Sequence, residues 1–359
     1  FYTPYEISVL MSEIVADHLQ NKTEISIYDS TSGSASLLIN IGKSIQKYLN
    51  NDNRIRYFAQ ENIDDTYNLT RMNLLMRGVS PNNINARCAD TLAEDWPIYV
   101  EGGERPIMVD CVVSNPPYSQ VWKPKEDPRY KDYGIAPASK ADYAFLLHDL
   151  YHLKQDGIMC IILPHGTLFR GGAEEDIRRN LINHDNIETI IGLPANIFFG
   201  TGIATIIMIL KKHRESSDVL FIDASKEFLK DGSKNTLGGH NIKKIVDAVL
   251  ARKTIPHFAT LVERKTIEDN LYNLNIPRYV SAEPEQPYDI HACVFGNLPN
   301  AELDLYNKTF WGVFPSLREE LFEKINEHTS ELKCENIRET VNNLSLIHIS
   351  EPTRQAEIS

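Results

Sequence analysis

Ile107-Met108-Val109-Asp110-Cys111-Val112-Val113-Ser114-Asn115-Pro116-Pro117-Tyr118 decides how the rest of the chain is read. Its first part, Ile107 to Val113, is predominantly apolar and predicts a central strand of a parallel sheet, buried on both faces. Its second part cannot continue that strand, because two successive prolines fix φ and remove two N–H donors. The proline carbonyls and the Asn115 side chain are left pointing in set directions. Acceptors held this way can take both hydrogens of a planar exocyclic amine and leave its lone pair aimed at an electrophile. Tyr118 adds a flat face on which a base or an amide can stack. The competing reading is a proline-stiffened turn in which Asn115 merely caps backbone. Placement directly behind a buried strand, with an aromatic residue next, favours the chemical reading.

Working outward, short apolar runs alternate with amphipathic stretches. Glu24 to Tyr28, Arg54 to Ala59, Asn83 to Cys88, Gly157 to Leu163, Ile187 to Gly192 and Ala204 to Leu210 read as strands. Ala35 to Leu49, Asp64 to Met76, Tyr143 to Leu153 and Glu174 to Ile182 read as helices. In the first of these, Leu38, Ile41, Ile45 and Tyr48 recur at three- and four-residue steps. The alternation predicts an α/β fold, a mostly parallel twisted sheet with helices on both faces. Ligands of such sheets sit at the carboxyl ends of the strands, so the loops leaving them hold the candidate site. Val219 to Asp223 reads as one more strand and Asn241 to Arg252 as a helix. The stretch from Asn270 to Gln286, rich in Asn, Pro and Tyr, reads as an extended arm or a small docking segment.

Asp29-Ser30-Thr31-Ser32-Gly33-Ser34-Ala35-Ser36 joins the first strand to its helix. Small residues there let a ligand approach the backbone, and N–H groups at the helix start can bind a carboxylate. A serine-rich turn and helix cap is the plainer alternative. Glu61 ends the second strand, where a carboxylate suits the ribose hydroxyls of a nucleoside. Asp90 ends the third, where a carboxylate can accept from an adenine amine. Either acid taken alone is a candidate helix cap or turn residue. At the front of the chain, Phe1-Tyr2-Thr3-Pro4 reads as a helix start, with Thr3 as cap and Pro4 in the first turn.

Together these motifs resemble the N6-adenine DNA methyltransferase family, in particular the methylation subunits of type I restriction-modification systems. The resemblance runs over nearly all of residues 1 to 343. It includes Leu163-Pro164-His165-Gly166 through Gly172, Leu193 to Ile203, and Leu274-Asn275-Ile276-Pro277-Arg278-Tyr279, blocks to which no chemistry is assigned. It implies a Rossmann-like fold that uses S-adenosylmethionine, and methyl transfer to N6 of a flipped adenine in DNA. Asn115, Pro116, Pro117 and Tyr118 would be the catalytic set. Phe1, Tyr2, Thr3, Pro4, Asp29, Ser32, Gly33, Ser34, Ala35, Ser36, Glu61, Asp90 and Asn115 would bind the cofactor. The family loop is D-P-x-x-G-S-G; here Ser30 replaces Pro and Ala35 replaces the later Gly, which costs strain if φ must be positive there. A specificity subunit and a restriction subunit are the implied partners. Within enzymes the rival is a protein-glutamine N5 methyltransferase, which holds an amide with the same tetrapeptide but lacks the Phe1 to Pro4 start and the later blocks. A non-catalytic cofactor-binding scaffold is the rival from another class.

Composition limits these readings. The 359 residues are 42% hydrophobic, enough for a full core, and carry 49 acidic against 37 basic side chains, a formal charge of -12. Duplex DNA is gripped by clustered Lys and Arg, so a partner is expected to supply most of the hold. The Ser119 to Ser139 segment, with Lys123, Lys125, Arg129 and Lys131, reads either as a lid meeting DNA beside the pocket or as a solvated loop. The five scattered cysteines suggest neither a metal site nor a disulfide framework and fit a reducing cytoplasm. No apolar run reaches the roughly 18 residues of a membrane span. The expected divisions are a catalytic domain over 1–223, with a helical domain ahead of it missing, then a helix and docking segment over 224–343. Residues 344–359 are expected to be a translated sequencing adapter, outside the fold.

Overall fold

The computed structural model describes residues 3–47, 54–99, 105–198, 202–232, 234–281, 296–305, 311, 315–334 and 336–341. Contacts divide the chain into two compact units, Phe1–Glu283 and Pro284–Ser359. The first unit is built on a nine-stranded sheet. Its strands are β1 (Ile25–Asp29), β2 (Ile55–Glu61), β3 (Ile84–Cys88), β4 (Val109–Ser114), β5 (Leu153–Pro164), β6 (Ile187–Gly192), β7 (Thr205–Leu210), β8 (Val219–Asp223) and β9 (Ala259–Val262). The order across the sheet is β9-β8-β6-β7-β5-β4-β1-β2-β3. Pairs β1–β2, β2–β3, β1–β4, β4–β5 and β6–β8 are parallel, whereas β5–β7, β6–β7 and β8–β9 are antiparallel.

The sheet separates two hydrophobic cores, and strand alternation feeds both. In β5, Ile158, Cys160 and Ile162 face one core while Met159, Ile161 and Leu163 face the other. On the first face lie α1 (Tyr5–Leu19), α2 (Ser36–Gln46), α3 (Asp64–Met76) and α6 (Gly239–Ala251), contributing Leu10, Met11, Leu38, Leu74 and Ile245 among others. On the second lie α4 (Asp142–Tyr151) and α5 (Ala173–Asn183), contributing Phe145, Leu146, Ile177 and Leu181. This is the α/β arrangement expected of the chain.

An acid sits in the central strand for a reason that periodicity does not show. Asp110 of β4 accepts from Lys22 and Lys154 at 2.9 Å each, and from the amide and hydroxyl of Ser26 at 2.9 and 2.7 Å. Burial alone would raise its pKa, but these bonds outweigh burial and hold it at about 2. The cluster ties β1, β4 and β5 together at the end of the sheet away from the elbow.

Several expectations shift. The strand expected over Ile107 to Val113 runs Val109–Ser114, because Ile107 instead donates its N–H to the Pro97 carbonyl at 2.8 Å. The strand expected from Gly157 begins at Leu153. The division expected at 223 falls later: α6 and β9 pack on the same sheet, and the compact unit extends to Glu283. The stretch read as an arm from Asn270 is packed as far as it is described. Leu274 and Ile276 are buried, and Tyr279 stacks on Phe221 with ring centroids 4.3 Å apart. Residues 282–286 lie outside the described residues, as do 342–359. The second unit contains a three-stranded antiparallel sheet formed by Leu298–Pro299, Phe322–Lys324 and Thr329–Leu332. Among the described residues no helix is long and apolar enough to cross a membrane.

Candidate functional site

The sheet order reverses between β4 and β1, and the loops leaving β1, β2, β3 and β4 open into a single cavity of about 420 Å³. Such a switch point leaves room at the strand ends. Ser30, Thr31 and Gly33 line it from the first loop, Glu61 and Ile63 from the second, Asp90 and Thr91 from the third, and Asn115 to Tyr118 from the fourth. Gln120 and Phe145 complete the wall beside the elbow.

The elbow is held by its own side chains. Tyr118 donates its hydroxyl to Asn115 Oδ1 at 2.8 Å, and Asn115 Nδ2 donates to Thr3 Oγ1 at 3.0 Å. Both ends of the amide are thereby fixed, and Oδ1 retains a second lone pair. Burial, with a smaller push from the Asp142 charge, moves the Tyr118 hydroxyl well above the usual tyrosine range, so it stays a donor at neutral pH. The Tyr118 ring meets buried Phe198 edge-on, with centroids 6.1 Å apart. Pro116 is buried and Pro117 is exposed. Thr3 thus touches the elbow directly, while Pro4 caps α1, its carbonyl accepting from Ser8 N–H at 3.1 Å. Phe1 and Tyr2 lie outside the described residues.

The loop after β1 is strapped from behind by α3. Thr70 donates to the Gly33 carbonyl at 2.6 Å and Asn73 to the Ser34 carbonyl at 2.9 Å, while Ser32 N–H reaches the Gln60 carbonyl at 2.9 Å. Gly33 adopts φ 53°, and a Cβ there would meet nothing closer than 3.9 Å. Backbone conformation rather than crowding therefore calls for glycine. Ala35 stands at φ 62°, so the strain anticipated for it is present. Ser36 opens α2. Asp29 is buried behind the loop and accepts from Thr31 N–H at 3.0 Å; burial pushes its carboxyl well above the ordinary range despite that bond. Asp29, Ser32, Ser34, Ala35 and Ser36 shape the loop, whereas Ser30, Thr31 and Gly33 face the cavity.

Glu61 accepts from the amides of Gly33 at 2.9 Å, Asn62 at 2.9 Å and Ile63 at 3.1 Å. It ties the first loop to the second and keeps acceptor capacity toward the cavity, since a carboxylate offers about four lone-pair sites. Asp90 accepts from Leu92 N–H at 2.9 Å in a local turn and lines the same cavity.

Behind these two acids runs a buried polar network. Arg129 donates to the carbonyls of Thr91 at 2.9 Å and Leu92 at 3.3 Å, and to His148 Nδ1 at 2.8 Å. It also forks onto Asp127 at 2.9 and 2.7 Å. An arginine only donates, so His148 Nδ1 accepts and its Nε2–H faces Tyr28 Oη at 2.8 Å. The Tyr28 hydroxyl can then donate to Gln60 Oε1 or the Trp96 carbonyl. Burial, reinforced by His152 and Arg129, keeps His148 well below the usual histidine range and hence neutral. Asp95, His148 and His152 bring ligand atoms within 4.8 Å of one another. The histidine nitrogens are already engaged, those of His152 by the Ile107 carbonyl at 3.0 Å and Asp95 at 2.9 Å.

The network corrects one expectation. Arg129, grouped with the cations of a lid meeting DNA, is buried beneath its own segment, and Lys125 donates to the Ala93 carbonyl at 2.8 Å. Sequence reasoning also passed over Ile63, which is 61% exposed and lines the cavity. An isoleucine at an exposed helix entry next to a strand-end acid is the signal that was available.

The profile of the N-6 DNA Methylase family matches residues 1–287. The type I restriction enzyme MpnII methylase subunit of Mycoplasma pneumoniae is 39% identical over 295 residues, which cover 80% of this chain and 54% of that protein. The MjaVIII methylase subunit of Methanocaldococcus jannaschii is 32% identical over 308 residues, 80% of this chain and 51% of that one. The crystal structure of the type I restriction-modification methyltransferase subunit from Streptococcus thermophilus matches with a TM-score of 0.73 and 47% identity, covering 78% of this chain and 59% of that chain. The chain thus spans about half the length of the curated relatives it matches. With the profile running from the first residue through the whole cavity-bearing unit, the chain belongs to the N-6 DNA Methylase family.

Proposed function

We propose that this chain is the methyl-transferring core of a type I modification subunit, which methylates N6 of adenine in DNA with S-adenosylmethionine as donor. One observation carries the reading: the proline-locked elbow opens into the same cavity as Gly33, Glu61 and Asp90. The volume of about 420 Å³ falls within the range of small-molecule sites, roughly 300–1,000 Å³. In this reading Glu61 holds ribose hydroxyls, Asp90 accepts from the cofactor's adenine amine, and Ile63 supplies an apolar wall. S-adenosylmethionine held by these residues would supply a sulfonium methyl, the carbon–sulfur bond breaking as the carbon–nitrogen bond forms.

The chain's own residues do the rest. Asn115 Oδ1 and the Pro116 carbonyl accept the two hydrogens of the target amine, which turns its lone pair toward the methyl group. Tyr118 stacks on the base and, through its hydroxyl, fixes which way the Asn115 amide points. Thr3 takes the amide's other end. The base must leave the duplex to reach the elbow. No general base is required, because the methylated nitrogen sheds its proton to water after transfer.

Asn115→Ala tests the assignment. Methyl transfer is expected to fall by at least about a thousandfold, with affinity for S-adenosylmethionine, measured by calorimetry, nearly unchanged. A folded variant that loses cofactor binding instead would show that Asn115 serves the cofactor and not the amine. A specificity subunit and DNA complete the proposed assembly, with a restriction subunit as a further partner, in the cytoplasm.

A further inference from the structure

The residue after the elbow is in an uncommon state. Ser119 has φ 51°, a left-handed conformation that non-glycine residues seldom adopt. Its N–H is captured by Asp142 Oδ1 at 2.7 Å, and the carbonyl of Gln120 accepts from Ala141 N–H at 2.8 Å. The chain leaving Tyr118 is therefore fastened to the first turn of α4. Asp142 is fully buried, and its other oxygen accepts from Arg170 Nη1 at 2.8 Å. Arg170 also reaches Glu174 Oε1 at 3.3 Å.

Arg170 belongs to the Leu163 to Gly172 block, which had no assigned chemistry. The turn carrying it is rigid: Tyr143 Oη and Arg178 Nη1 both donate to the Thr167 carbonyl, at 2.9 and 3.0 Å. The guanidinium lies across Gly166, where an added Cβ would stand 2.8 Å from Nε, 3.0 Å from Nη2 and 3.2 Å from Cζ. Gly166 thus clears the space that lets Arg170 reach Asp142.

We propose that Arg170 is a positioning residue for methyl transfer: seated on Gly166, it fixes Asp142, which holds Ser119 and so sets the direction in which the Asn115–Tyr118 elbow faces. This rests on the methyltransferase reading above. A surface ion pair would add little, but this one joins a buried carboxylate to the residue next to the stacking tyrosine. The charge on Asp142 needs a partner, and Arg170 donates to the oxygen that Ser119 N–H does not use.

The test uses the full-length subunit in its active modification complex with target DNA. Arg170→Met should lower the single-turnover rate at saturating cofactor by about a hundredfold, the scale of a misplacement of roughly 1 Å. Cofactor affinity by calorimetry should stay nearly constant, and the Ser119 amide should exchange hydrogen faster. Arg170→Lys should recover part of the rate by keeping one donor and the charge. Gly166→Ala, which removes no polar group, should lower the rate by a smaller factor, because it crowds only the flexible end of Arg170. Arg179→Met, at an exposed arginine on α5, is the control and should match the wild type.

Three results would overturn the proposal while leaving the methyltransferase reading intact. One is a wild-type rate in a folded Arg170→Met or Gly166→Ala variant. Another is a rate loss matched by lost cofactor binding. The third is unchanged exchange at Ser119. Should Arg170→Met fail to fold, the lysine and Gly166 variants decide in its place. A wild-type complex that transfers no methyl group sinks both ideas.

Discussion

Ala35 closes the loop after β1 at φ 62° and ψ 19°, with its methyl fully buried. The departure from glycine was visible in the sequence, but whether it mattered depended on the backbone, which a motif does not state. The left-handed conformation costs a non-glycine residue on the order of 1 kcal/mol or more. Ala35→Gly should therefore raise stability by about 1 kcal/mol, or roughly 2–4 °C in Tm, without weakening cofactor binding. A thermal melt that moves down would mean that the buried methyl contributes more than the strain costs. Other contacts at this scale were illegible for a different reason. Thr3 and Asn115 are far apart in sequence yet meet at 3.0 Å, and no local pattern announces a partner that distant. Asp29 was legible as part of the loop but not as a residue turned inward, because its direction is set by the Thr31 amide.

At the level of elements, the apolar runs identified the strands well and their ends less well. Interior strands are recognised by continuous burial, whereas their ends are set by single hydrogen bonds such as that from Ile107 N–H to the Pro97 carbonyl. Thr205–Leu210 illustrates a deeper limit. It is buried on both faces, so its side chains read the same whether it runs parallel or antiparallel to its neighbours, and both of its pairings are antiparallel. The helix α4 carries an acid whose cost can be measured. Asp149 is buried and receives the hydroxyl of Ser114 just before the elbow. Burial raises its pKa to about 7, against the smaller pull of the Ser114 and Ser30 hydroxyls. The unfolded value is about 3.9. Below pH 4 the group is neutral in both states and costs nothing. As pH rises from 4 to 7 the unfolded chain ionises first, so the native state loses stability by up to about 1.4 kcal/mol per pH unit, and above 7 the loss is constant. Asp149→Asn should remove this slope: its advantage over wild type should grow between pH 4 and 7 and then level off. Denaturant titrations at several pH values check this; a gap independent of pH would contradict it.

For the molecule as a whole, the formal charge of -12 sets the strongest constraint on the proposed hold on DNA. Neutralising phosphates takes clustered cations, and the Ser119 to Ser139 segment, which offers several, has its arginine turned inward. The full-length subunit alone should give no site-specific methylation and weak, strongly salt-dependent binding to duplex DNA, with activity appearing only when a specificity subunit is added. Methylation of one defined sequence by the isolated subunit would refute this. Charge and fold class were readable from composition and alternation. The division between compact units was not, because β9 is only Ala259–Val262 and joins the sheet through one antiparallel neighbour. The inward arginine has a further consequence. Sealed by Asp127, His148 and two carbonyls, Arg129 rivets the segment beyond the elbow to the loop that carries Asp90. The wall beside Tyr118 is consequently braced from within by an arginine's bonds, and not left to side chains that solvent could pull away.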